Sequence, residues 1–214
     1  MYPVTYEARY EPENRNRLTT FFRGFTALPG MLVGGLYVFA SLFTAVFAWL
    51  ALVFTGRYPQ GLYDFHIKVL RIAGRVNGYY YLLTDVSPPL NGEPDPAYPI
   101  QIEVPPPKAE YSRVKALFRS IIAIPVYLLA YVWALIGAVC GLLGWFAIMF
   151  TGELPAGLAD PILNAQRYST RTMAYGLLLM TEDYPPFSEE DPGLPAELPV
   201  SEAAVPTEAP RQEA

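Results

Sequence analysis

From Gly24 to Gly56 the chain reads GFTALPGMLVGGLYVFASLFTAVFAWLALVFTG, 33 residues without an acidic or basic side chain. Ninety-six residues later, Ser120 to Gly152 reads SIIAIPVYLLAYVWALIGAVCGLLGWFAIMFTG, again 33 residues without a charge. About 20 apolar residues in a helix cover a hydrocarbon core roughly 30 Å thick. Each stretch is long enough for that, and the chain does it twice. The reading is an all-α integral membrane protein built by tandem duplication.

Composition agrees. At 214 residues the chain is 52% apolar with a mean hydropathy of +0.22, and only 16% of it is charged, against about 25% in an ordinary soluble domain. The net charge of -5 is concentrated at one end. Glu182, Asp183, Glu189, Glu190, Asp191, Glu197, Glu202, Glu208 and Glu213 all lie after Thr181, and the rest of the chain is slightly basic. A slightly basic body suits anionic lipid, and no basic tract points to nucleic acid. Cys140, the one cysteine, sits among Gly137, Gly141 and Gly144, where it serves as a small apolar residue. No basic segment followed by a short apolar core opens the chain, so no cleaved signal is expected.

Outward from the long stretches, each copy has the same parts. Val4, Tyr6, Ala8 and Tyr10 alternate with Thr5, Glu7 and Arg9, and Ile100, Ile102 and Val104 alternate with Gln101 and Glu103; both read as short strands able to pair with each other. Next comes an amphipathic helix. In the first copy it runs from Asn14 to Leu28 with apolar Leu18, Phe21, Phe22 and Phe25, and in the second from Glu110 to Ile124 with Val114, Leu117, Phe118 and Ile121. Arg15, Arg17 and Arg23, and then Arg113, Lys115 and Arg119, fall on the remaining surface, as in a helix lying among lipid headgroups. Pro29 and Pro125 then open the long helices, expected from about Pro29 to Phe54 and Pro125 to Phe150.

Small residues line one side of each long helix, at Ser41, Ala45 and Ala48 and at Gly137, Gly141 and Gly144. Such seams allow close backbone approach, and the expectation is that they face each other. Trp49 and Trp145 sit near the polar ends, where indoles favour the membrane interface. Turn chemistry follows in FTGRYPQGL and FTGELPAGL, and it lacks the lysine and preceding strand of a phosphate-binding loop.

The second helical pattern, Gly61 to Leu83 and Gly157 to Leu179, carries a polar line. Asp64, Lys68, Arg71 and Arg75 are spaced four, three and four, and Asp160, Asn164, Arg167 and Arg171 repeat the line. Asp64, Arg71, Arg75, Asp160, Arg167 and Arg171 are therefore the candidate anion or lipid-headgroup site. The alternative is an interfacial helix with a local Asp64 to Lys68 pair. His66 is replaced by Ile162 in the repeat, which argues against a metal or proton-relay role, and no cofactor is expected.

Tyr2 and Tyr98, Pro3 and Pro99, Arg17 and Arg113, Phe22 and Phe118, Arg23 and Arg119, Pro29 and Pro125, Trp49 and Trp145, Asp64 and Asp160, and Arg75 and Arg171 all repeat at one offset. With the FTG strings and a close in YPPF, this pattern resembles the bacterial membrane family called domain of unknown function 4389. The resemblance spans Tyr2 to Phe187 and departs at Glu153, where the first copy has Arg57. It implies a bacterial inner-membrane location and no known cofactor.

The expected organisation is a first repeat over 1–90, a linker over 91–97, a second repeat over 98–187 and a disordered acidic, proline-rich tail over 188–214. Two or four membrane crossings remain open, the latter by a hairpin inside each long stretch or a return through the second helical pattern, with both termini cytoplasmic. The chain offers no constellation for catalysis. It reads as a membrane-embedded scaffold or accessory subunit, partnered by the bilayer and by a membrane protein or a second copy. The alternative is transport of a small molecule, ion or lipid, or headgroup binding, where the repeats meet.

Overall fold

The computed structural model describes residues 2–9, 11–13 and 15–186, so the 188–214 tail lies outside the described residues. Each repeat contributes a strand, one or two short helices, one long helix and one amphipathic helix. The first has β1 (Thr5–Ala8), α1 (Arg17–Phe21), α2 (Arg23–Thr26), α3 (Leu28–Thr55) and α4 (Gln60–Tyr80). The second has β2 (Ile100–Glu103), α5 (Arg113–Ile122), α6 (Ile124–Thr151) and α7 (Ala156–Thr172), which continues into a π-helical turn at Met173–Leu177.

Local chemistry sets the boundaries. Asn16 accepts a hydrogen bond from the Thr19 amide at 3.0 Å and so caps α1. Pro29 and Pro125 occupy the first turns of α3 and α6, where a missing N–H costs nothing. Gly56 and Gly152 end those helices at φ 70° and 81°, a left-handed conformation that a glycine adopts without penalty. Both long helices are continuous over 28 residues, which rules out a hairpin inside either stretch.

Along α3 the buried positions include Gly30, Gly34, Ser41, Ala45 and Ala48, while Leu32, Leu36, Phe39, Phe43, Phe47 and Phe54 are exposed. On α6, Gly137 and Gly144 are buried while Leu128, Leu135, Val139, Leu142 and Phe150 are exposed. Small side chains thus meet protein and large apolar ones meet the surroundings, the reverse of a soluble helix. By length and composition both helices can cross a membrane, and only 22% and 17% of their apolar windows are buried within the chain, so they are not core helices shielded by protein.

The two seams do not face each other. A side chain at Gly30 or Gly34 would meet Val76 or Ile72 of α4, one at Gly137 would meet Ala165 of α7, and one at Gly141 would meet Tyr81. Gly30 and Gly34 of α3 are covered by α4, which the short Gly56 turn folds straight back, whereas the α6 seam is shared between α7 at Gly137 and the first repeat's Tyr81 and Leu82 at Gly141 and Gly144.

β1 and β2 pair antiparallel, with Tyr6 opposite Ile102 at the centre. Val4, Tyr6, Ile100 and Ile102 turn inward and are buried, while Glu103 on the opposite side of the ribbon is exposed. The inward side lies on α4, where side chains at Gly74 and Gly78 would run into Ile102, Ile100 and Tyr6. Gly74 and Gly78 stand two residues from Ile72 and Val76, about 200° around the helix. So α4 is a middle layer, with α3 beneath it and the ribbon above. α7 is placed likewise, with Ala165 against α6 and Arg167 bonded to Tyr6 of β1.

Candidate functional site: the interlocked repeat interface

The two repeats exchange their N-terminal segments. The Trp145 indole N–H donates to the carbonyl of Thr20 at 3.0 Å, and the Trp49 indole donates to that of Ala116 at 3.0 Å. The Arg15 amide donates to the Gly152 carbonyl at 2.9 Å, and the Tyr111 amide to the Gly56 carbonyl at 2.8 Å. Arg17 lies beside Gly152, and Arg113 beside Gly56, each bringing positive charge to the carbonyl end of the other repeat's long helix. Every one of these pairs is related to its counterpart by exchange of repeats. The indoles read as interface anchors are clamps between repeats.

Buried arginines fasten the far ends. Arg23, read from sequence as headgroup-facing, is only 3% exposed. Its guanidinium donates to the carbonyls of Tyr79 and Thr84 and to Asp85, and it lies over the Tyr79 ring at 4.8 Å. Arg15 joins it, 3.2 Å from Asp85 and 2.5 Å from the Leu82 carbonyl. In the second repeat Arg119 donates to the carbonyls of Tyr175 and Thr181 and lies over the Tyr175 ring at 4.3 Å. Burial pulls the Arg23 and Arg119 pKa values down, and Asp85 (for Arg23) and Tyr175 (for Arg119) oppose that loss. Their targets are carbonyls near the end of α4 and in the π-helical turn, together with those of Thr84 and Thr181 a few residues beyond. Leu82 and Leu179 take φ values of 68° and 58° there, unusual for leucine.

The copies slip by one residue at this point. Tyr79 matches Tyr175 at the common offset, yet Thr84 matches Thr181 one position later. The π-helical turn at Met173–Leu177 absorbs the extra residue.

The six residues of the expected anion site are not gathered at one point. Arg71 donates to the carbonyl of Ile102 at 3.4 Å and Arg167 to that of Tyr6 at 3.2 Å. The Arg9 amide bonds to the Pro99 carbonyl at 3.0 Å, and the alternation of an antiparallel ladder then turns the carbonyls of Tyr6 and Ile102 outward on opposite edges. The two arginines therefore satisfy the ribbon's two open edges. Arg75 lies over the Tyr98 ring at 5.5 Å and donates to the Glu93 carbonyl at 2.9 Å, while Arg171 lies over Tyr2 at 5.3 Å. Asp64 is exposed and accepts from Gln60 at 2.8 Å; Asp160 is exposed too. Lys68 pairs with Glu93 at 2.7 Å rather than with Asp64.

His66 is fully buried. Tyr58 donates to the Leu178 carbonyl at 2.6 Å, so its oxygen accepts from His66 Nδ1 at 2.5 Å, and Nε2 faces the Thr44 hydroxyl at 2.8 Å. This chain ties α3 and α4 to the second repeat. Desolvation lowers the His66 pKa to about 4.

Two hollows lie where the repeats meet along α6. A groove of about 440 Å³ is lined by Arg23, Tyr80, Tyr81, Leu82, Gly141, Leu142, Trp145 and Phe146, among others. Next to it a 160 Å³ pocket collects Asn77, Tyr81, Gln166 and Ser169. At the related positions of the other repeat stand Met173, Leu177, Leu70 and Ala73, so the polar lining belongs to one side only. No group of three potential metal-binding side chains occurs among the described residues.

The family described as Domain of unknown function (DUF4389) matches residues 17–91 and 113–189. The chain belongs to that family and carries two tandem copies of its domain. No curated protein and no solved structure matches it.

Proposed function

We propose that the protein is a membrane-embedded scaffold or accessory subunit of the bacterial cytoplasmic membrane, working through surfaces rather than reactive groups. One observation carries this reading. Among the described residues, every exposed large apolar side chain except Tyr80, Val86 and Tyr184 lies on the helices α1 to α3, α5 and α6 or, for Phe22, at the joint between α1 and α2, while the buried arginines Arg15, Arg23, Arg75 and Arg119 are spent on the chain's own carbonyls and rings. The apolar side suits lipid, and the interlocked body supplies a rigid polar surface for a partner or a second copy. The inner-membrane location follows the family resemblance.

A second reading is favoured by the groove along α6, which is largely apolar and aromatic, holds Arg23 as its one charge and has room for an acyl chain. The adjoining polar pocket is where a small solute would be held if the protein moved one. Mass spectrometry of the intact protein, purified from membranes in mild detergent, separates the readings. The scaffold reading expects a fixed mass from a protein partner or second copy, unaffected by Gly141→Leu. Retention of one phospholipid by a monomer, lost in Gly141→Leu, would overturn it in favour of lipid binding.

A further inference from the structure

We propose that α3 and α6 lie along the membrane rather than across it, and that the protein is held in one leaflet by a single apolar face. The inference rests on the membrane reading above and decides how that reading is realised.

The connections fix the directions of the long helices. α1 is bonded to α6 near its end, through Thr20 and Trp145, and only the span from Thr20 to Leu28, about 12 Å of helix, separates that contact from the start of α3. The repeat-related bond from Trp49 to Ala116 ties the start of α6 to the end of α3. Each helix has 28 residues and so measures about 42 Å. Two rods of that length, joined start to end at both places, run antiparallel. The pseudo-two-fold axis that relates them is perpendicular to both and passes through the ribbon between Tyr6 and Ile102.

Only two placements keep a bilayer against the apolar surface. If α3 and α6 crossed, the axis would lie in the membrane plane and the ribbon would sit at mid-depth. Glu7, Arg9, Glu103, Lys68, Arg71 and Arg167 would go there with it, at about 2.5 to 3.5 kcal/mol for each central charge. If instead the axis stands upright, both helices lie flat and the ribbon is farthest from lipid. The layering favours the second placement. Ribbon, α4 with α7, and α3 with α6 are stacked in that order, and the exposed leucines and phenylalanines of α3 point away from α4. From Leu18 to Gly56 and from Ala116 to Gly152 the only charges are Arg23 and Arg119, both buried. Arg17, Arg113 and Lys115 are exposed where α1 and α5 begin, at the rim of the apolar face, where anionic headgroups attract them. The occupant of the face is one leaflet of an anionic bilayer, entered by about 5 to 10 Å.

Four exposed sites test this: Glu13 beside the end of α6, Glu153 after it, and Arg57 and Glu110 at the end of α3. Each is replaced by cysteine, singly, in a Cys140→Ser background, in the full chain in bacterial cells. Labelling by an impermeant maleimide is compared before and after the cells are opened, and membranes are washed with alkaline carbonate. Flat helices predict that the protein stays in the washed membrane and that all four sites react from the same side. Retention with Glu13→Cys and Glu153→Cys on one side, and Arg57→Cys and Glu110→Cys on the other, would overturn the flat placement while keeping the membrane reading. Release of the protein by carbonate would overturn both.

Discussion

Replacing Arg119 by methionine separates a buried clamp from a lipid-facing charge. Methionine fills similar space but removes the donors to the carbonyls of Tyr175 and Thr181 and the cation above the Tyr175 ring. Each of the two buried carbonyls left unpaired costs about 1 to 3 kcal/mol, and the lost ring contact about 1 kcal/mol, so the variant should lose about 3 to 7 kcal/mol. Unfolding in mixed micelles, followed by fluorescence of Trp49, Trp133 and Trp145, measures the loss. Arg119→Lys should recover little, because an ammonium cannot reach two carbonyls and stack on the ring at once. A loss under about 1 kcal/mol for Arg119→Met, with weaker binding to anionic vesicles instead, would refute the reasoning and return Arg119 to the headgroups.

Other outcomes follow from single contacts. Trp145→Phe deletes the indole bond to Thr20 and should cost about 1 kcal/mol, with Trp49→Phe costing a similar amount and the double variant close to their sum, as read in the same unfolding assay. Gly137→Ala places a methyl 2.8 Å from the Ala165 side chain and should lower the melting temperature. Gly157→Ala meets nothing within 4 Å and should be neutral or raise it by removing a helical glycine. Burial lowers the His66 pKa from the ordinary 6.5 to about 4 in the folded chain, so the unfolded chain binds more protons between those values. Stability should therefore fall as pH drops from about 6.5 to about 4, by roughly 3 kcal/mol in all. A thermal melt series on wild type and His66→Gln checks this, the variant losing that part of the slope.

Much of the architecture was legible in the residues. The two 33-residue stretches became continuous helices within two residues of their expected ends. The period-two runs around Tyr6 and Ile102 became the paired ribbon, because alternation and small turns are local signals. Which repeat docks on which was not legible. Thr20 and Ala116 occupy equivalent places, and nothing near Trp145 says whether its indole meets the one or the other. The helical spacing of the apolar residues puts Arg23 and Arg119 on the polar surface of helices lying in the headgroup plane. What buries them is a set of carbonyl groups at Tyr79, Thr84, Tyr175 and Thr181, far along the chain and carried by backbone rather than side chains. The one-residue slip before Thr181, absent from the single offset read along the sequence, is a finding of the fold, which expresses it as a π-helical turn.

The most direct measurement of the central claim is a depth profile along α3. Nitroxide labels at Leu32, Phe39, Phe43, Phe47 and Phe54, all exposed on one side of the helix, are read one at a time in phosphatidylethanolamine and phosphatidylglycerol vesicles by collision with oxygen and with a polar nickel chelate. A helix lying flat predicts nearly equal depths for all five. A profile deepest at Phe43 and shallow at Leu32 and Phe54 would contradict it and set α3 across the bilayer.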